Sequence, residues 1–126
     1  MLNNRLQKRL INISMALTPI HRCHRCTHIA FLIKHNTICH IGFNKLKTHP
    51  LLKLYPKYSV GIHAELDVIM KSGLDDLSDY TLVVIRINRN NEITMSKPCK
   101  SCQSVIKMYN IYDVYYTNYD GFFCKL

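Results

Sequence analysis

The sequence predicts an α/β protein, a three-layer α/β/α sandwich around a mixed, mostly five-stranded sheet. Helix-like and strand-like segments alternate along most of the chain, which favours helices packed on both faces of one sheet. The 126 residues, 48% of them hydrophobic, are enough for a single domain with its own core over residues 1–126. Low glycine and proline contents exclude fibrous and disordered classes.

An amphipathic helix is predicted at the amino terminus, over residues 1–19. Its apolar side chains recur at helical spacing and would cover one face of the sheet. These side chains are Leu6, Leu10, Ile13 and Leu17. Pro19 is expected to end the helix, because proline cannot donate the backbone hydrogen bond that would continue it.

The core is predicted over residues 27–123 and begins with a β-hairpin. Its strands are recognised by β-branched and aromatic residues, and its helices by apolar residues three or four positions apart. The strands are expected at 29–33, 37–43, 80–87, 111–117 and 122–123, and the helices at 63–71 and 99–110. A basic loop over 44–61 precedes the first core helix. The turn at 119–121 would make the last two strands antiparallel.

Charge and cysteine content restrict the partners and the compartment. Seventeen lysines and arginines against eight acidic residues give a formal charge of +9, which favours nucleotides or nucleic acid as partners. No apolar run reaches the roughly 20 residues that span a bilayer, and no signal peptide is recognisable. We therefore expect a cytoplasmic or otherwise intracellular protein without membrane partners, whose six cysteines are thiols or metal ligands.

Two short motifs predict a zinc site. His63 precedes Glu65 by two residues at the start of one predicted helix, and Cys99 and Cys102 form a Cys-x-x-Cys at the start of another. Exposed N–H groups at a helix start favour thiolate ligands, which suit Zn²⁺. One histidine and two cysteines leave the fourth zinc position open for water, as in catalytic sites. Glu65 would then act as the catalytic carboxylate that moves protons.

At these residues, and at Pro98 before Cys99, the chain resembles the cytidine deaminase-like superfamily, whose signature is H-x-E followed by P-C-x-x-C. The resemblance covers residues 27–123, in the superfamily's order of elements. It implies that zinc-bound hydroxide attacks a nucleobase while the glutamate carries protons. It also implies substrate-binding roles for Asn44, Ala64 and Pro98, with Asn44 toward the sugar and Ala64 in the pocket wall.

The substrate class has two interpretations. The leading one is hydrolytic deamination of a cytosine-containing nucleoside or nucleotide. The runner-up is deamination of cytosine or adenine in single-stranded DNA or RNA, which the positive charge favours. Only nine residues follow the strand that ends at Thr117, so the long carboxy-terminal helices of polynucleotide-editing relatives are not expected. Small members of the superfamily often self-associate, so the resemblance implies that this protein can form a homo-oligomer.

Three alternatives remain open from the sequence. The zinc could be structural, in a non-catalytic nucleic-acid-binding module, although this leaves Glu65 without a role. A second metal could bind a cysteine and histidine cluster formed by His21, Cys23, His24, Cys26 and His28. His49, in the basic loop, is a candidate contact for substrate, against the alternative of a surface histidine without a role.

Overall fold

The structure is a computed structural model that describes residues 2–21, 26–45 and 62–126. The described residues form three helices and six strands. The helices are α1 (Asn4–His21), α2 (Ala64–Ser72) and α3 (Lys100–Met108). The strands are β1 (Thr27–Lys34), β2 (Thr37–Phe43), β3 (Thr81–Ile87), β4 (Ile93–Thr94), β5 (Asp113–Thr117) and β6 (Phe123–Lys125).

One mixed sheet runs through the described residues in the order β2-β1-β3-β5-β6. The central pair, β3 and β5, is parallel, and the other neighbours are antiparallel. This confirms the predicted α/β class and its five-stranded path. The structure adds β4, which pairs with the end of β3 and was not predicted because two residues show no periodicity.

The two faces of the sheet are covered by different helices, because side chains alternate along each strand. On one face, α1 packs Leu6 and Leu10 against odd-numbered strand residues such as Phe31 and Ile85. On the other face, α2 and α3 cover even-numbered residues such as Leu32. The result is the predicted sandwich, with an apolar core on each side of the sheet.

Helix α1 ends later than predicted. It continues through Pro19 to His21, two residues beyond the expected end. A proline in the last turn removes only one backbone hydrogen bond, so the preceding turns can still carry the helix past it. Neither α1 nor any other helix in the described ranges is long and apolar enough to cross a bilayer.

Two residues, Gly42 and Asp67, determine how α2 packs against β2. Gly42 allows a very close approach, since a Cβ added there would lie 2.5 Å from the backbone nitrogen of Val68. Asp67 is buried and accepts a hydrogen bond of 2.9 Å from the backbone N–H of Phe43. Its carboxylate also pairs with Lys45 and Lys71, each at 3.0 Å. These contacts fix the helix start that carries the predicted site.

Candidate functional site

The amino termini of α2 and α3 bring the predicted metal ligands together. His63 is the N-cap residue of α2, and Cys99 is the N-cap residue of α3. Antiparallel backbone hydrogen bonds between Lys45 and Ile62, of 2.8 and 2.9 Å, hold the chain immediately before His63. The exposed N–H groups of both helices favour negatively charged ligands at this point.

The three ligand side chains have the spacing of a zinc site. Nδ1 of His63 lies 3.3 Å from Sγ of Cys102 and 3.8 Å from Sγ of Cys99. All three donor atoms lie within 4.8 Å of one another. Tetrahedral coordination with ordinary zinc–sulfur and zinc–nitrogen bonds separates donor atoms by about 3.6 Å. One imidazole and two thiols in this arrangement therefore fit Zn²⁺ in both distance and donor type.

Burial prepares the histidine to act as a ligand. Desolvation lowers the pKa of His63, so its imidazole stays neutral and keeps a lone pair for a metal. The neighbouring Cys102 is buried, with 1% of its surface exposed. Its backbone N–H donates a hydrogen bond of 3.5 Å to Sγ of Cys99, so both cysteines lie in the first turn at the start of α3.

Glu65 lies in the first turn of α2, beside this cluster. Its side chain is buried, and this desolvation raises the pKa of the carboxyl group. Hydrogen bonds from its own backbone N–H and from Cys102 oppose that rise. Glu65 is therefore a buried carboxyl group with a raised pKa beside three possible metal-ligand atoms, and such perturbed groups often occur at functional sites.

A cavity of about 540 Å³ opens over this cluster. Its volume lies in the range of small-molecule sites, about 300–1,000 Å³. The predicted metal ligands His63 and Cys99 and the carboxyl residue Glu65 line it. The other lining residues are Cys26, His28, Asn44, Ala64, Arg86, Ser96 and Lys97.

Comparison with solved structures identifies the fold. A dCMP deaminase from the cyanophage S-TIM5 aligns in its apo form with a TM-score of 0.64 and 17% identity, over 93% of this chain and 86% of that one. The same enzyme in complex with dCMP and dUMP aligns with a TM-score of 0.66 and 17% identity, over 94% and 85%. A cytidine deaminase from Burkholderia pseudomallei has a TM-score of 0.64 and 15% identity, over 99% and 92%.

The chain has the cytidine deaminase-like fold. This confirms the architecture that the two motifs and the order of elements predicted. No protein-family model matches the sequence, and no curated protein matches it significantly. The likeness therefore lies in the three-dimensional arrangement. Within it, His63, Cys99 and Cys102 are close enough together to hold a metal ion, and Glu65 lines the same cavity.

The predicted substrate-binding residues occupy different places in this cytidine deaminase-like fold. Asn44 and Ala64 line the cavity. The amide of Asn44 accepts from the backbone N–H of His28 at 2.9 Å and donates to the carbonyl of Cys26 at 3.4 Å. Pro98 is buried and is not among the lining residues, and its carbonyl accepts a hydrogen bond from the Gln103 side chain.

Two predictions fall wholly or partly outside the described residues. His49 lies in the undescribed range 46–61, so its role in substrate binding stays a prediction. In the second cluster, Cys23 and His24 lie in the range 22–25, and the His21 side chain is likewise not described. The remaining members, Cys26 and His28, approach each other to 3.9 Å between Sγ and Nδ1.

The cavity also contains residues that the sequence analysis did not assign to a site. His28 and Arg86 are direct partners across β1 and β3, on the face covered by α2 and α3. Burial, the adjacent Arg86 and then His63 lower the pKa of His28 to about 4. A signal was present, because Arg86 interrupts the apolar run from Leu82 to Ile87, and a charged side chain is rarely buried without a partner.

Proposed function

We propose that this protein deaminates cytosine in a free nucleoside or nucleotide, with zinc bound by His63, Cys99 and Cys102. The observation that carries the proposal is the combination of this ligand triad with buried Glu65 at the wall of a single cavity. A structural zinc site would require neither the cavity nor a buried carboxyl group beside the ligands.

The structural neighbours support the choice of substrate. Two of the similar structures are of a dCMP deaminase, one of them with dCMP and dUMP bound, and a third is a cytidine deaminase. The predicted antiparallel pairing of β5 and β6 is present in the structure, and the resemblance associates this arrangement with deaminases of free nucleosides. Both observations favour a cytosine-containing small molecule as the substrate.

Zinc held by one imidazole and two thiolates would supply Lewis acidity to a water molecule in its open fourth position. Neutral His63 would provide one ligand, and burial of Cys102 would exclude solvent from the inner side of the site. Because α2 and α3 both begin here, their N–H groups would stabilise the negative charge of the thiolates.

Glu65 would move the protons of the reaction. Water adds to C4 of cytosine, the C4–N bond breaks, and the products are the uracil compound and ammonia. The Glu65 carboxylate takes one proton from the attacking water and delivers it to the ring nitrogen N3. It then takes the second proton, from the hydroxyl group now on C4, and delivers it to the leaving amino group. Desolvation raises the pKa of Glu65, which improves its ability to hold a proton between these steps.

The test is an assay of zinc-loaded protein with cytidine, deoxycytidine, their monophosphates, adenosine and single-stranded oligonucleotides, with deaminated products identified by mass. We expect product from a cytosine nucleoside or nucleotide. The Glu65→Gln variant should lose at least about 100-fold in kcat, since a positioned acid and base contributes this much. The matched control is Glu92→Gln, which changes an exposed glutamate in the turn between β3 and β4 and should retain full activity.

Zinc content separates the possible outcomes. Zinc retained in Glu65→Gln together with lost turnover supports proton transfer by Glu65. Stoichiometric zinc without turnover of any of these substrates by the wild-type protein would contradict the proposal and favour a structural metal.

A further inference from the structure

Arg86 is a charged side chain that the proposed deamination does not use. It lines the same cavity as the metal ligands, and its Nε is buried without a hydrogen-bond partner among the described residues. A buried donor without an acceptor destabilises a folded protein. Such a group in a cavity wall indicates a missing acceptor, which a bound ligand can supply.

The surroundings of Arg86 specify the charge of that ligand. None of the ion pairs among the described residues involves Arg86. Its neighbours across the sheet are His28 of β1 and Thr94 of β4, neither of which is an acid. Lys97 lies in the same cavity wall, and Glu65 is the one carboxylic acid among the lining residues. The Arg86 side of the cavity is therefore suited to an anion.

We propose that Arg86, assisted by Lys97, binds the phosphate group of a nucleoside monophosphate whose base lies at the metal site. The nucleoside part of this inference rests on the proposed function. A guanidinium group matches phosphate in charge and geometry, because it donates parallel hydrogen bonds to two phosphate oxygens. The phosphate would supply the acceptor that Nε lacks and neutralise a charge that the described acids leave unpaired.

A monophosphate fits these observations better than a nucleic-acid strand does. Single strands bind in open positively charged grooves, where several exposed basic residues follow the backbone. Here one buried guanidinium atom lies in the wall of a cavity of about 540 Å³, the size of a small-molecule site. A single terminal phosphate satisfies this arrangement.

The experiment measures binding in the zinc-loaded Glu65→Gln protein, where turnover cannot obscure it. Calorimetry measures the affinity for four ligands: deoxycytidine monophosphate, deoxycytidine, inorganic phosphate and a single-stranded oligonucleotide. Their comparison distinguishes the contributions of the nucleoside, the phosphate group and a longer strand to binding. We expect the monophosphate to bind about 10- to 100-fold more tightly than the nucleoside, the usual effect of hydrogen bonds to a charged group. Inorganic phosphate should compete with the monophosphate.

Adding Arg86→Gln should reduce the ratio of monophosphate to nucleoside affinity to within about 3-fold, and Arg86→Lys should give an intermediate ratio. The matched control, Arg9→Gln, removes an exposed arginine from α1 on the opposite face of the sheet and should leave the ratio unchanged. Thermal unfolding and zinc content verify that each variant is folded. If Arg86→Gln does not fold, Arg86→Lys and phosphate competition still decide the question.

Equal affinity for monophosphate and nucleoside, or a ratio unaffected by Arg86 substitution, would overturn the phosphate site. Tighter binding of the oligonucleotide than of the monophosphate would replace the proposal with a polynucleotide substrate. The proposed function fails separately, if wild-type protein produces no deaminated product. In that case Arg86-dependent binding of the monophosphate would still support the phosphate site.

Discussion

Individual polar residues line the cavity at the ends of β1 and β3, next to apolar residues of the same strands that belong to the core. On the face covered by α2 and α3, β1 presents Ala30 and Leu32 to the core and then His28 to the cavity. Strand β3 likewise changes from Val84 to Arg86. Because side chains alternate, one face of two adjacent strands becomes polar at the same level. The cavity therefore combines metal ligands with basic groups.

His28 should make stability depend on pH. The folded pKa is about 4 and the ordinary value is 6.5, so the unfolded chain binds the proton more readily. Stability from this residue is complete above about pH 6.5 and is lost as the pH falls toward 4. A His28→Gln variant cannot undergo this loss. We expect the unfolding free energy of the wild-type protein, relative to that of His28→Gln, to fall by about 2 kcal/mol between pH 7.5 and pH 5.

Denaturant unfolding of both proteins at several pH values, with EDTA present to remove metal effects, measures this difference. A difference between wild type and His28→Gln that stays constant from pH 7.5 to pH 5 would show that His28 titrates normally in the folded protein.

At the scale of elements, the position of α2 on β2 determines where His63 and Glu65 lie. The helix approaches the strand so closely that a Cβ at position 42 would meet the backbone of α2, at 2.5 Å from Val68 N and 2.8 Å from Ala64 O. Asp67 then ties the same helix to the backbone of Phe43. A displacement of α2 would therefore move both the proposed metal ligand His63 and the proposed proton carrier Glu65.

The Gly42→Ala variant should lose about 2–3 kcal/mol in unfolding free energy, because backbone atoms must shift to admit the methyl group. It should also bind zinc more weakly. Gly73→Ala is the matched control. Gly73 has a φ of +66° but open space around it, so alanine there should cost only about 1 kcal/mol. Denaturant unfolding and metal titration of both variants test this, and equal losses would contradict the close-packing explanation.

At the scale of the whole molecule, the proposed metal ligands lie at the starts of two helices that are distant in sequence. His63 begins α2, while Cys99 and Cys102 belong to the start of α3, 36 and 39 positions further along the chain. Both helices pack on the sheet and contact each other within one core cluster, which includes Val68 and Ile106. A bound ion would add a further connection between them and stabilise the folded state.

Removal of the metal should therefore lower the melting temperature by about 12 °C. Metal at roughly 1,000 times its dissociation constant adds about 4 kcal/mol, and each kcal/mol shifts the melting temperature by about 3 °C in a domain of this size. Calorimetry with and without a chelator measures the shift. Cys102→Ser should abolish the response to chelator, whereas Cys39→Ser, at an exposed cysteine on β2, should retain it. A chelator response that survives in Cys102→Ser would place the metal elsewhere.

The sequence by itself determined the α/β class, the order of the main elements and the three residues of the candidate metal site, His63, Cys99 and Cys102. These features are local, because periodicity and short motifs such as Cys99-x-x-Cys102 depend only on residues that are close together in the sequence. The tertiary structure alone decided that β4 extends the sheet and that α1 passes Pro19. It also decided that His28 and Arg86 share the cavity with His63. Strand pairing brings His28 and Arg86 together although they are 58 positions apart, and a local sequence pattern cannot predict such a long-range contact.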